Sequence, residues 1–177
     1  MSNMKCGIWV SVVMLCGFAA PSWAETAAEV VEKGEAALAA HDAATAMKDF
    51  DQALELEPDN GLAAFERAKI RLKIRDTKGA IADFTTAILA NPKNAAAFDG
   101  RGETKMKLQQ PDPKGAFEDF QLAIEATPDK PEPLLVRASY FVQFGNVAGA
   151  IADLRKAREL AGGPTAEAID KMLERLK

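Results

Sequence analysis

The chain has 177 residues, room for one domain of ordinary size, with 48% hydrophobic and 27% charged residues. Its 22 Lys and Arg against 26 Asp and Glu give a net charge of −4 and a pI near 5.2, a balance that disfavours nucleic acid or an anionic membrane surface as partner. Two cysteines and a single histidine leave little material for a disulfide framework or a metal centre.

Residues 1–24 stand apart from the rest. Lys5 is their only charged side chain, Cys6 to Ala20 form an apolar run, and Ser22-Trp23-Ala24 offers small residues to a signal peptidase before Glu25. That layout predicts a secretory signal peptide cleaved after Ala24. The competing reading is a retained membrane anchor, but a spanning helix needs ~20 apolar residues, and this run is shorter and contains Gly7, Ser11 and Gly17. A lipid-modified Cys16 is rejected, because bulky Leu15 precedes it where a small residue is expected. Cleavage removes Cys6, Cys16 and both tryptophans, so the exported chain contains no disulfide. No Asn-x-Ser/Thr acceptor occurs, which favours a bacterial periplasmic or secreted address over a glycosylated one.

From Glu25 onward the sequence reads as paired amphipathic helices. Glu25 to Ala40 is the first, with Thr26 as cap; Asp42 caps the second, which runs to about Glu57. Gly61 to Pro92 repeats the pair. The anchors return in register four times: Ala46, Phe50, Ala53; Ala80, Phe84, Ala87; Ala116, Phe120, Ala123; Ala150, Leu154, Ala157. Each first helix carries a small residue (Gly34, Ala68, Gly102, Ala138), which lets the backbones approach while the large residue fills the adjacent volume. The aromatic stripe is therefore core packing, not a cofactor box. Asp42, Asp76, Asp112 and Asn146 stand four places before each anchoring alanine, where a side-chain oxygen accepts from the unpaired N–H groups of a helix's first turn. Pro58, Pro92 and Pro128 close three copies and Gly162-Gly163-Pro164 the fourth.

Pro58 and Pro92 stand 34 residues apart, and the Gly…Ala-x₃-Phe…Pro anchors recur around them. On these residues the chain resembles the tetratricopeptide repeat (TPR) family from about residue 26 to the C-terminus, although the Trp, Leu and Tyr anchors of the first helix are mostly absent. The resemblance implies an all-α, right-handed α-α superhelix of four helix-turn-helix repeats plus a C-terminal capping helix. The expected organisation is a signal peptide at 1–24, repeats at about 25–60, 61–94, 95–130 and 131–163, and a cap at 164–177. Such repeats cannot bury their apolar faces singly and derive stability from stacking.

Two departures from the pattern lie in the later repeats. The third is two residues longer, near Gln109-Gln110-Pro111. This is either a protruding partner-binding loop or a tolerated turn insertion, and the cheapness of lengthening a surface loop favours the second. After Gly163, Ile169, Met172, Leu173 and Leu176 make an apolar stripe opposite Glu167, Asp170, Lys171, Glu174 and Arg175, as expected of a helix that closes the end of a solenoid.

Catalysis needs a nucleophile, a base or a metal shell. His41 lies in a turn beside Asp42, which is ordinarily a solvated position, and there is no phosphate loop, zinc spacing or serine elbow. The reading is a non-enzyme with no cofactor and no metal. One polar pattern recurs: Lys33, Arg67, Arg101 and Arg137 on the first helices, Asp49, Asp83, Asp119 and Asp153 on the second. A recognition ladder of four cations is one interpretation; ion pairs between helices are preferred. The constant spacing of 18 from Asp49 to Arg67, Asp83 to Arg101 and Asp119 to Arg137 selects pairing with the next repeat, which would leave Asp153 to Lys171.

In the TPR family the first helices line a concave groove. By repeat alignment the groove-facing positions resemble Val31, Glu35 and Leu38; Leu62, Phe65, Lys69 and Leu72; Asp99, Glu103 and Met106; Leu135, Ser139 and Val142. Each set shares one helix face. The alternative is that Phe65 and its neighbours only pack against adjacent repeats. The groove lacks the Asn-plus-Lys combination with which chaperone-binding TPR proteins hold a terminal carboxylate. The expected function is an exported adaptor that docks a peptide or helix of a protein partner, with no nucleic-acid or membrane partner after cleavage, as a monomer or weak homo-oligomer. A self-assembling scaffold and an enzyme of unrecognised type are the alternatives.

Overall fold

The computed structural model describes residues 25–176, and the expected signal peptide lies outside the described residues. Nine helices fill this span: α1 (Ala27–Ala39), α2 (Ala43–Leu56), α3 (Gly61–Lys73), α4 (Thr77–Ala90), α5 (Ala95–Met106), α6 (Pro113–Ala126), α7 (Glu132–Gln143), α8 (Val147–Leu160) and α9 (Gly163–Arg175). No helix among the described residues is long and apolar enough to cross a membrane.

The ends of these helices are set by local hydrogen bonds. Thr26 and Glu29 form a reciprocal capping box on α1. Asp42, Asp76, Asp112 and Asn146 accept from the backbone N–H of Thr45, Gly79, Gly115 and Gly149, and Asn60 and Asn94 cap α3 and α5 in the same way. The hairpin turns share a closure. The N–H groups of Asp42, Asp76 and Asn146 donate to the carbonyls of Ala37, Arg71 and Phe141, while His41, Arg75 and Gly145 take the left-handed conformation just before them. His41 is thus a turn residue. In the longer third repeat, Asp112 N–H donates to the Lys105 carbonyl at 3.1 Å. The same closure is made seven residues back rather than five, so the two extra residues are absorbed inside the turn.

Within each hairpin the small first-helix residue faces the large second-helix one. A Cβ added to Gly34 would come within 2.7 Å of the Phe50 ring, and one on Gly102 within 2.6 Å of the Phe120 ring. The core runs through the stack as Val30, Ala46 and Phe50, then Ala68, Phe84, Ile88 and Phe98, then Leu134, Leu154 and Ile169. Phe50, Phe84 and Phe120 are at most 2% exposed. At the far end, α9 packs on α8 and buries Ala166 and Ile169.

The charged pairs differ from the sequence expectation. Arg67 donates two bonds to Asp83 (2.9 and 2.7 Å), Arg101 reaches Asp119 at 2.7 Å and Arg137 reaches Asp153 at 2.8 Å, each within its own repeat. Asp153 therefore does not use Lys171, and Lys33 pairs with Glu25. The constant spacing of 18 misled because it measures the uniform connection between repeats. Own-repeat separations run 16, 18 and 16 only because the third turn is longer. Contact with the preceding repeat comes from two residues past the expected aspartate position, where Asp51 accepts from Arg67 at 2.7 Å and Thr85 from Arg101 at 3.2 Å.

Candidate functional site: the inner face of the first helices

Helix α5 touches both α3 and α7 in addition to its hairpin partner. The first helices therefore form the closer-packed layer, and a stack whose one layer is closer packed curves toward it. This inner face is where the groove positions fall.

Val31 is the exception. It is 5% exposed within the core formed with Phe50 and Ile70, so it is not available to a partner. Its counterparts in the later repeats, Phe65, Asp99 and Leu135, are only half-buried, whereas Val31 is covered by residues of α2 and α3. Leu38 also packs against that core while remaining half-buried.

On α3, Leu62 is half exposed. Phe65 is half-buried and makes a T-shaped contact with Phe84, with ring centroids 5.9 Å apart, while the Lys69 ammonium lies over the Phe65 ring, 5.4 Å from its centroid. Phe65 thus does both things considered for it: it supports the next hairpin and retains surface in the groove. Leu72 packs against the same core. Lys69 is also held by Glu66 at 2.8 Å.

The structure brings Glu103, Met106, Leu135 and Ser139 together. They border a cavity of about 490 Å³ between α5 and α7, floored by Phe120 and Tyr140. Sequence reading missed Tyr140. Its hydroxyl donates to the Pro113 carbonyl and its ring contacts Phe117, Phe120, Phe141 and Phe144. The available signal was an unmatched aromatic two residues beyond Ala138. A second cavity of about 230 Å³ continues from Leu135, Ser139 and Val142 to Met172 and Arg175 of α9. The terminal helix therefore lengthens the groove as well as covering the core.

Asp99 is the unusual residue. Its Oδ1 is enclosed and meets no hydrogen-bond donor. Burial, reinforced by repulsion from Glu103, pushes its carboxyl up to about 7. It borders an open cleft that also includes Lys93, Lys130 and Glu132, but none of these pairs with it. Glu35 lies on α1, exposed and apart from these residues. No group of three or more His, Cys, Asp or Glu among the described residues could hold a metal ion.

Many solved structures share this architecture. A thermophilic TPR protein of Thermus thermophilus, TTC0263, superposes with a TM-score of 0.66 at 20% identity, covering 85% of this chain and 81% of its own. The chain folds as tetratricopeptide repeats. MamA from Desulfovibrio magneticus RS-1 gives a TM-score of 0.66 at 22% identity over 76% of this chain and 75% of that one. The first TPR of Spaghetti (RPAP3), bound to the HSP90 peptide SRMEEVD, gives 0.61 at 19% identity over 68% of this chain and 94% of that one. No protein-family profile matches the TPR chain's sequence, and no curated protein does either.

Proposed function

We propose that this protein is an exported TPR adaptor that holds a peptide or helix of a protein partner on its inner face and performs no chemistry. The observation that carries the reading is the cavity between α5 and α7, where Met106, Leu135 and the Phe120–Tyr140 floor meet the carboxylate of Glu103. A strip that mixes apolar side chains with Glu103, Lys107, Ser139 and Gln143 suits an amphipathic segment laid along it. The Spaghetti repeat, of the same fold, is bound to a peptide, which supports the reading by analogy of fold. Export is supported by the apolar run and small-residue site of residues 1–24.

The test is affinity capture from periplasmic extract with wild type and with a Phe65→Ala, Lys69→Glu double variant. The wild type should retain a stoichiometric partner that the folded double variant loses. Retention by a variant with intact helical content sinks the groove assignment.

A further inference from the structure

Three aspartates packed between helices, Asp83, Asp119 and Asp153, are 2–6% exposed, and each is held by an arginine of its own repeat. Asp99 is a fourth carboxylate with an enclosed oxygen, and it has none. Packing does not require an acid there, because the equivalent positions of the flanking repeats are Phe65 and Leu135. A carboxylate with one enclosed, unpaired oxygen is costly in the free protein. The same feature makes the site attractive to an incoming cation, whose N–H groups would give Asp99 the charged partner it lacks.

We propose that the inner groove reads a basic side chain: the partner segment places one lysine or arginine against Asp99 and Glu103, with apolar residues on either side of it. This rests on the peptide-groove reading above and specifies the partner's chemistry. Glu103 lies one turn beyond Asp99 on the same face of α5 and borders the cavity between α5 and α7. Charges around the pair leave room for the added cation. Lys107 approaches Glu103 only at 3.7 Å and is exposed, and Lys105 is engaged by Asp119 at 2.8 Å. Lys93 and Lys130 border the cleft without pairing to Asp99, and Glu132 adds a third carboxylate at its rim. Apolar surface lies to either side along the inner face: on α3 the half-buried Phe65 and Leu72, which pack on the core, and toward α9 the cavity bordered by Leu135, Val142 and Met172. A free metal ion or small amine would use the two carboxylates and ignore these walls. A polypeptide with a basic residue among apolar ones uses both.

Panning a library of short random peptides on the purified protein tests this. Wild type should enrich peptides with one Lys or Arg among apolar residues. A resynthesised lysine peptide should bind at least about tenfold more tightly than the same peptide carrying norleucine in its place. In an Asp99→Asn, Glu103→Gln variant, shown to be folded by its helical content and melting, the two peptides should bind within about twofold of one another. Equal affinities in the wild type overturn the cation subsite while leaving the groove reading intact, provided both peptides lose binding to the Phe65→Ala, Lys69→Glu variant. Undiminished binding to that last variant overturns the groove reading and this inference with it.

Discussion

Replacing Asp99 by asparagine should stabilise the protein, and more so as pH rises. The folded carboxyl titrates at about 7 against an ordinary 3.8, so the native state binds this proton more tightly than the unfolded chain does. Below the ordinary value both states are protonated and the residue is neutral to stability. As pH climbs from about 4 to 7 the unfolded chain ionises first, and stability is lost; above 7 the loss levels off. At about 1.36 kcal/mol per unit the full shift corresponds to at most about 4 kcal/mol, which residual exposure and local relaxation reduce to about 2–3 kcal/mol. Asparagine keeps the shape and removes the charge. The assay is urea denaturation followed by far-UV circular dichroism for both proteins at pH 5 and pH 8. The advantage of the variant should grow by about 1–2 kcal/mol between them. A difference that is independent of pH would show that Asp99 ionises normally, and would refute the reasoning that partial burial with one enclosed, unpaired oxygen holds its proton.

Truncating Phe84, 1% exposed between Ala68, Ala87 and the edge of Phe65, should cost about 3–5 kcal/mol in the same assay, through lost burial and the cavity left behind. Gly102→Ala should cost about 1–3 kcal/mol, because the new Cβ meets the Phe120 ring at 2.6 Å, whereas Gly162→Ala meets nothing within 4 Å and should show no steric loss. Arg137→Ala leaves Asp153, 6% exposed, without its guanidinium and should cost about 3–5 kcal/mol; joint replacement of both by apolar residues should recover most of that. Asp76→Ala removes the acceptor for Gly79 N–H and should lower stability by about 1 kcal/mol by urea unfolding.

The groove was partly legible and partly not, and individual residues show why. Glu103, Met106, Leu135 and Ser139 could be placed on one surface because each lies at a fixed helix position relative to its repeat's small residue, and the repeats stack in register. Val31 follows the same rule in sequence yet is covered by α2 and α3. The rule assumes that every repeat is rotated alike. Tyr140 and the inner edge of α9, with Met172 and Arg175, have no counterparts in the other repeats. A periodic pattern carries no information about positions that break it.

Sequence alone determined the repeat, its length and its hairpins, because the signals that make them are short-range. An aspartate three residues before the N–H it caps, a glycine opposite a phenylalanine and a left-handed residue closing a turn all act within one helix pair. Tertiary structure decided which cation meets which aspartate, whether Phe65 is core or surface, and that one oxygen of Asp99 is enclosed with no partner. Those outcomes depend on the rotation and separation of helices packed against one another. A difference of two residues in one turn changes sequence spacing without changing which side chains face each other, so contact between helices is settled by packing and not by counting along the chain.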